Sequence, residues 1–140
     1  MEMNAGFFIL IAVLVVAIVG VVWLTLSGRS TPSLNRQKYQ TKWLEIEHSV
    51  SRDNPATYPM AVLNADKLVD QALKERRFRG ETMGERMKSA QDTWRNANHV
   101  WTAHKIRNQL AHEPDYTITY QTASRALAAF KQALKDLGAI

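Results

Sequence analysis

The chain has 140 residues, of which 18 are basic and 13 acidic, and its formal net charge is +5. It contains no cysteine, which excludes a disulfide framework and a thiolate metal site. At this length we expect one domain with a hydrophobic core, accompanied by short accessory segments.

The first segment is long, apolar and uncharged. Residues 5–26 read AGFFILIAVLVVAIVGVVWLTL, and as a helix they would span about 33 Å, close to the hydrocarbon thickness of a bilayer. Such a helix has no polar face to turn toward water. A cleaved signal peptide fits less well, because no lysine or arginine precedes the apolar run, which is also too long. We predict a transmembrane anchor over residues 1–28 that contacts the lipid bilayer through residues 5–26.

The charges that flank this segment predict its orientation. Every lysine and arginine follows it, beginning with Arg29 and Arg36. The positive-inside rule then predicts a single-pass protein of the cell membrane, with the N-terminus outside and the helical domain in the cytoplasm. Residues 29–140 carry all 18 basic residues and all but one of the 13 acidic residues, a net charge of +6. This charge suits lipid head groups or RNA, although a domain beside an anionic leaflet is often basic for that reason alone.

Beyond a short polar linker at residues 29–33, the pattern of apolar residues is helical. The 3.6-residue period predicts five helices, at about 33–50, 55–77, 82–94, 99–112 and 120–137. The predicted caps are Asn54, Asn98 and Thr119 at N-termini, a Thr82–Glu85 capping box, and Gly80 and Gly138 at C-termini. No segment alternates with the period of a strand. The predicted fold class is all-α: a single N-terminal transmembrane helix followed by an antiparallel bundle of about five helices, residues 34–140.

The end of the fourth predicted helix is rich in polar groups. Residues 101–116 read WTAHKIRNQLAHEPDY and include His104, Arg107, Asn108 and His112. Pro114 disfavours helix at the residue before it, so the helix ends there. On an ideal helix Arg107 and His112 are about 140° apart. They can meet on one ligand only if the last turn frays, or if a second copy of the chain supplies one of them.

These residue types suit cleavage of RNA without a metal or cofactor. A neutral histidine can take the proton of a 2′-hydroxyl, and an arginine can hold the phosphate in a bidentate contact. We expect no zinc site, because His104 and His112 do not share a helix face with a carboxylate at ligand spacing. An arginine followed by a histidine five positions later occurs often by chance, so its context has to carry the interpretation.

That context, AHKIRNQLAHEPDY, resembles the HEPN superfamily of all-α nucleotide-binding domains. Its hallmark is an arginine, usually with a polar residue after it, and a histidine four to six positions further on, as in RNQLAH at residues 107–112. The resemblance covers about residues 34–138 and implies a homodimer through the soluble bundle, with both motifs lining one cleft. It implies a phosphate contact for Arg107, a positioning role for Asn108 and acid/base chemistry for His112, with His104 as an accessory. Active members are metal-independent endoribonucleases, whereas others only bind RNA or protein partners.

Two further features have alternative interpretations. The segment KERRFRG places four cations around Phe78, which could stack on a base while Lys74, Arg76, Arg77 and Arg79 bind RNA phosphates. The alternative is a solvated helix end, where the macrodipole favours cations. Likewise, Arg107 and Asn108 could tie down the loop at 111–118, with Asp115 as the ion-pair partner.

Two functions therefore stay open. One is a membrane-anchored HEPN-like domain that engages RNA, either by binding alone or also as a metal-independent endoribonuclease. The other is a non-catalytic, membrane-tethered protein-interaction module that uses the same polar edge.

Overall fold

The computed structural model describes residues 5–27 and 32–140, and all regular structure in those ranges is helical. The helices are α1 (Ala5–Ser27), α2 (Arg36–Ser49), α3 (Thr57–Glu75), α4 (Met83–Ser89), α5 (Ala97–His112) and α6 (Tyr120–Asp136), with a short 3-10 helix at Gln91–Thr93. The chain divides into two compact units, residues 1–31 and 32–140. The all-α prediction is confirmed. Most of the predicted linker, residues 29–33, lies outside the described residues.

Helix α1 is long and apolar enough to cross a membrane. Its segment Gly6–Thr25 has a mean hydropathy of 3.2, and none of it is buried within the chain. The Thr25 hydroxyl donates to the carbonyl of Val22 at 2.9 Å, so the helix itself satisfies this polar group. This agrees with the predicted span in length and composition.

The second unit is built around α3 and α6, which pack against each other at its centre. Both helices carry fully buried alanines, among them Ala61, Ala65 and Ala133, and such small side chains let packed helices approach closely. Larger side chains fill the space on either side, with Tyr39, Leu73 and Phe130 each fully enclosed. Helices α2, α4 and α5 contact α3, and α5 also contacts α6. This arrangement places the polar face of α5 beside α3 and α4.

Several predicted helix starts shift by a few residues. Asn54 does not cap α3: its Oδ1 accepts from the amide of Ala56 at 3.2 Å, before the helix begins. Asn96, rather than Asn98, caps α5 by accepting from the His99 amide. The capping box of Thr82 and Glu85 and the N-cap at Thr119 are confirmed.

The third predicted helix, at 82–94, is wrong in length, because α4 ends at Ser89. A 3-10 turn follows, and Trp94 then folds back so that its indole N–H donates to the carbonyl of Met87 at 3.0 Å. Burying this indole beside the core requires a sharp change of chain direction, which a continuous helix would not allow.

The end of α3 also differs from the prediction. Arg77, not Gly80, adopts the left-handed conformation after the helix, with φ of 62°. The amide of Phe78 donates to Leu73 and that of Arg77 to Lys74, the hydrogen-bond pair of a Schellman cap. Gly80 has φ of 143° and lies in the following turn. Gly138 does end α6 in the left-handed region, with φ of 71°, as predicted.

Candidate functional site

One face of α5 lines an open cleft between α3, α4 and α5. Its residues Trp101, His104, Arg107 and Asn108 fall at successive turns of the helix, a spacing that aligns side chains on one face. The cap at Asn96 begins the helix, and Val100 and Ala103 face the core on its other side. The cleft encloses about 750 Å³. The walls opposite α5 include Asp66 and Asp70 from α3, and Thr82, Gly84 and Arg86 at the start of α4.

The buried carboxylate of Asp66 organises the α5 side of the cleft. Its Oδ1 lies 2.7 Å from Nδ1 of His104, and its Oδ2 lies 3.1 Å from Nε of Arg107. The Asp66 side chain is only 4% exposed. The Arg107 Nε is buried and makes no well-formed hydrogen bond, so its contact with Asp66 is an ion pair. A carboxylate buried this deeply is stable only with such partners, which fasten α3 to α5.

Arg107 remains accessible in spite of this pair. Its side chain is 34% exposed, and one terminal nitrogen donates to Oδ1 of Asn108 at 3.0 Å. The structure therefore pairs Arg107 with Asp66 across the bundle rather than with Asp115, the partner proposed from the sequence. The guanidinium is held at the cleft wall with part of its surface open to a ligand.

His112 occupies a different position. It is the last residue of α5 and is exposed, and it is not part of the cleft lining. Glu113 follows in an extended conformation, as Pro114 predicted. Within one chain, the imidazole that shares the cleft with Arg107 is thus His104. The catalytic roles assigned to Arg107, Asn108 and His112 stay predictions.

A second ion pair holds the other end of the cleft. Arg86 is 6% exposed, and its Nε donates to Oδ1 of Asp70 at 2.8 Å. It also donates to the carbonyls of Gly80 and Glu81, at 2.8 and 3.0 Å. This arginine therefore anchors the turn between α3 and α4. Asp66, Asp70 and Arg86 were not predicted as site residues. The spacing of the two aspartates by one helical turn, beside the apolar stripe of α3, is the signal in the sequence that points to them.

The basic segment at 74–79 continues from this end of the cleft. Lys74 pairs with Asp70 at 2.8 Å, while Arg77 and Arg79 are exposed. Arg76 is half-buried, and its Nε has no hydrogen-bond partner in the described chain. Phe78 packs against the core. The ring is therefore partly buried, and the exposed cations of the segment are Lys74, Arg77 and Arg79, whose roles in RNA binding stay predictions.

No group of three His, Cys, Asp or Glu side chains in residues 5–27 and 32–140 is placed to hold a metal ion. No family model, curated protein or solved structure matches the chain. A functional assignment therefore rests on the geometry of the cleft and on the resemblance in residues 101–116.

Proposed function

We propose that the protein is a membrane-anchored, HEPN-like helical domain that engages RNA at the α3–α4–α5 cleft. The observation that carries this proposal is the state of Arg107, which is fixed on one side by Asp66 and Asn108 yet has a third of its side chain exposed. An arginine oriented in this way loses little further freedom when it binds a phosphate.

Exposed cations beside the cleft support the binding of an anionic ligand there. The exposed cations Arg77 and Arg79 lie between Asp70 and Glu81 in the chain, and both of those acidic residues line the cleft. A single strand of RNA that contacts this segment and Arg107 would cross the cleft. The net charge of +6 on residues 29–140 adds a longer-range attraction for phosphates.

We place the domain at the cytoplasmic face of the cell membrane, with α1 as the anchor. The chain has no cysteine of its own, so single cysteines introduced by Met3→Cys and Glu113→Cys report topology cleanly. A membrane-impermeant maleimide added to intact cells should label the first and spare the second until the cells are lysed. Labelling of Glu113→Cys in intact cells would reverse the orientation.

RNA binding is tested with the full chain in detergent micelles and a fluorescent single-stranded RNA in EDTA. Arg107→Ala should weaken binding at least tenfold, because a charge-assisted contact contributes about 1.5–3 kcal/mol. The control is Arg95→Ala, whose side chain is 79% exposed and outside the cleft, and which should change binding by less than twofold. Equal binding by the wild type and Arg107→Ala would remove the proposal, provided that both unfold at similar temperatures.

A non-catalytic interaction module is the second candidate, and the pairing of charges in the cleft favours it. Asp66, Asp70 and Glu81 stand against Lys67, Arg86 and Arg107, so the walls carry no excess of positive charge. Trp101 is 39% exposed at the same cleft, and an exposed tryptophan is typical of protein-binding hot spots. RNA binding that is absent, or insensitive to Arg107, would favour this candidate.

A further inference from the structure

The cleft contains an imidazole that the sequence motif does not assign. His104 and Arg107 are one turn apart on α5, and both contact the carboxylate of Asp66. The geometry points to His104, oriented by Asp66, as the group that transfers a proton during cleavage of RNA in this cleft, in place of His112. The inference rests on the proposed binding of RNA at Arg107.

The contact with Asp66 determines which nitrogen of the ring is basic. A carboxylate 2.7 Å from Nδ1 accepts the Nδ1 proton of the neutral ring, which leaves the lone pair on Nε2. In the described chain no hydrogen bond is formed by Nε2, and this nitrogen is not fully enclosed by the protein, although the side chain as a whole is only 12% exposed. Since His104 lines the cleft, this lone pair is available to a ligand there.

The ring is also held in place. Trp101 lies one turn earlier on α5 and meets it edge to face, with ring centroids 6.3 Å apart. The His104 side chain is only 12% exposed. A base with a fixed orientation and a chosen tautomer is the arrangement that proton transfer requires. His112 lies at the exposed helix end, outside the cleft that Arg107 lines.

The reaction that these groups support is transesterification. Nε2 of His104 takes the proton of the ribose 2′-hydroxyl, and the 2′-oxygen forms a bond to the adjacent phosphorus. The bond from phosphorus to the 5′-oxygen breaks, and that oxygen takes a proton from water; the resulting hydroxide takes the proton back from His104. The products are a 2′,3′-cyclic phosphate and a 5′-hydroxyl end. Arg107 stabilises the negative charge that builds on the phosphate oxygens.

Two substitutions separate the two nitrogens of His104. In His104→Asn the amide N–H occupies the Nδ1 position and keeps the contact with Asp66, but Nε2 is lost. In His104→Gln the amide reaches the Nε2 position and the Nδ1 contact is lost. With the full chain in micelles, EDTA and a labelled single-stranded RNA, both should lower the rate of cleavage about 100-fold or more. Binding of RNA should stay within about threefold, and an all-deoxy strand should not be cut.

His112→Ala is the matched comparison, and it should retain cleavage to within about threefold. Loss of cleavage in His112→Ala together with activity in His104→Asn would overturn the inference. So would a wild-type chain that binds RNA through Arg107 and does not cleave it; that result would leave the proposed RNA binding intact. A wild-type chain with no Arg107-dependent binding would instead overturn the proposed function.

A measurement on the unaltered chain guards against variants that fail to fold. The ¹⁵N chemical shifts of the His104 ring distinguish a proton on Nδ1 from one on Nε2. The wild type should carry it on Nδ1, and Asp66→Asn, whose amide can donate to the ring, should move it to Nε2 and reduce cleavage. A wild-type ring with its proton on Nε2 would overturn the inference.

Discussion

Asp66 on α3 holds Arg107 on α5 by an ion pair in which Oδ2 and Nε lie 3.1 Å apart. The same carboxylate reaches Nδ1 of His104 at 2.7 Å, so one buried acid positions both of the groups that face the cleft. The stability of the bundle and the proposed chemistry therefore depend on the same residue. The effect of a substitution on the free energy of unfolding has to be measured separately from its effect on RNA cleavage.

Asp66→Ala should destabilise the bundle by about 3 kcal/mol, toward the lower end of the cost of leaving a buried charge without its partner. The lower end applies because Arg107 is 34% exposed and water can replace part of the lost contact. Asp66→Asn, which keeps the volume and a hydrogen-bonding group, should cost about half as much. Urea unfolding of the full chain in micelles, followed by circular dichroism, measures both. Equal stability of Asp66→Ala and the wild type would contradict this account of the pair.

Replacing Arg86 by lysine should lower the stability of the chain, although the positive charge is kept. Its guanidinium contacts Asp70 and two backbone carbonyls of the α3–α4 turn, and the side chain is only 7% exposed. A lysine cannot reproduce this fork, so Arg86→Lys should lower the free energy of unfolding by about 2–3 kcal/mol. Arg95→Lys is the control, because Arg95 is 79% exposed and 4.0 Å from Asp136; its effect should stay within about 0.5 kcal/mol. Similar effects of the two changes would refute the anchoring role of Arg86.

How far the sequence predicts this protein depends on how local each interaction is. The apolar run of α1, the capping box at Thr82 and the stop at Gly138 arise from neighbours in the chain, and all three were predicted correctly. The partner of Arg107 was not, because Asp66 comes from another helix and the pairing depends on how α3 and α5 pack. The spacing of three residues between His104 and Arg107 does predict that they share one face of α5, whereas the HEPN-like motif assigns the histidine role to His112.

The turn after α3 was mispredicted for a similar reason. The sequence predicts Gly80 as the helix cap. In the structure Arg77 takes that position, and a glycine is required at residue 80 for a different reason, which lies in the turn that follows. A Cβ at position 80 would lie 2.6 Å from the amide nitrogen of Arg86 and 2.6 Å from the Cβ of Glu85, at a φ of 143°. Both contacts come from α4, which the local pattern around residue 80 does not reveal.

Substitutions of two glycines should therefore change the stability of the chain in opposite directions. Gly80→Ala should destabilise the chain by at least about 2 kcal/mol, because of backbone strain together with the close contacts in α4. Gly84→Ala should stabilise it by about 0.5 kcal/mol, because the site is helical and an added Cβ meets Trp101 at 3.8 Å and the Thr82 hydroxyl at 4.0 Å, which are ordinary contact distances. Thermal unfolding of the two variants beside the wild type gives the signs directly. Two shifts in the same direction would be inconsistent with this geometry.

The pair formed by Lys38 and Glu75 should make stability depend on pH on the acidic side. The ammonium of Lys38, which donates to Glu75 at 2.9 Å, holds the pKa of this carboxyl below its ordinary value of 4.5. A lowered pKa in the folded state means that the stabilisation is fully present above pH 4.5 and is lost as the pH falls through the folded-state value. The difference in stability between the wild type and Glu75→Gln should therefore stay constant from neutral pH down to about 4.5 and shrink below it. Lys38→Met should reduce the same acid sensitivity, because Lys38 is the largest cause of the lowered pKa of Glu75, and the part that remains comes from the hydrogen bonds of Glu75 with Tyr39 and Gln71. A difference between the wild type and Glu75→Gln that stays constant from neutral pH to well below 4.5 would mean that the pair contributes no proton linkage.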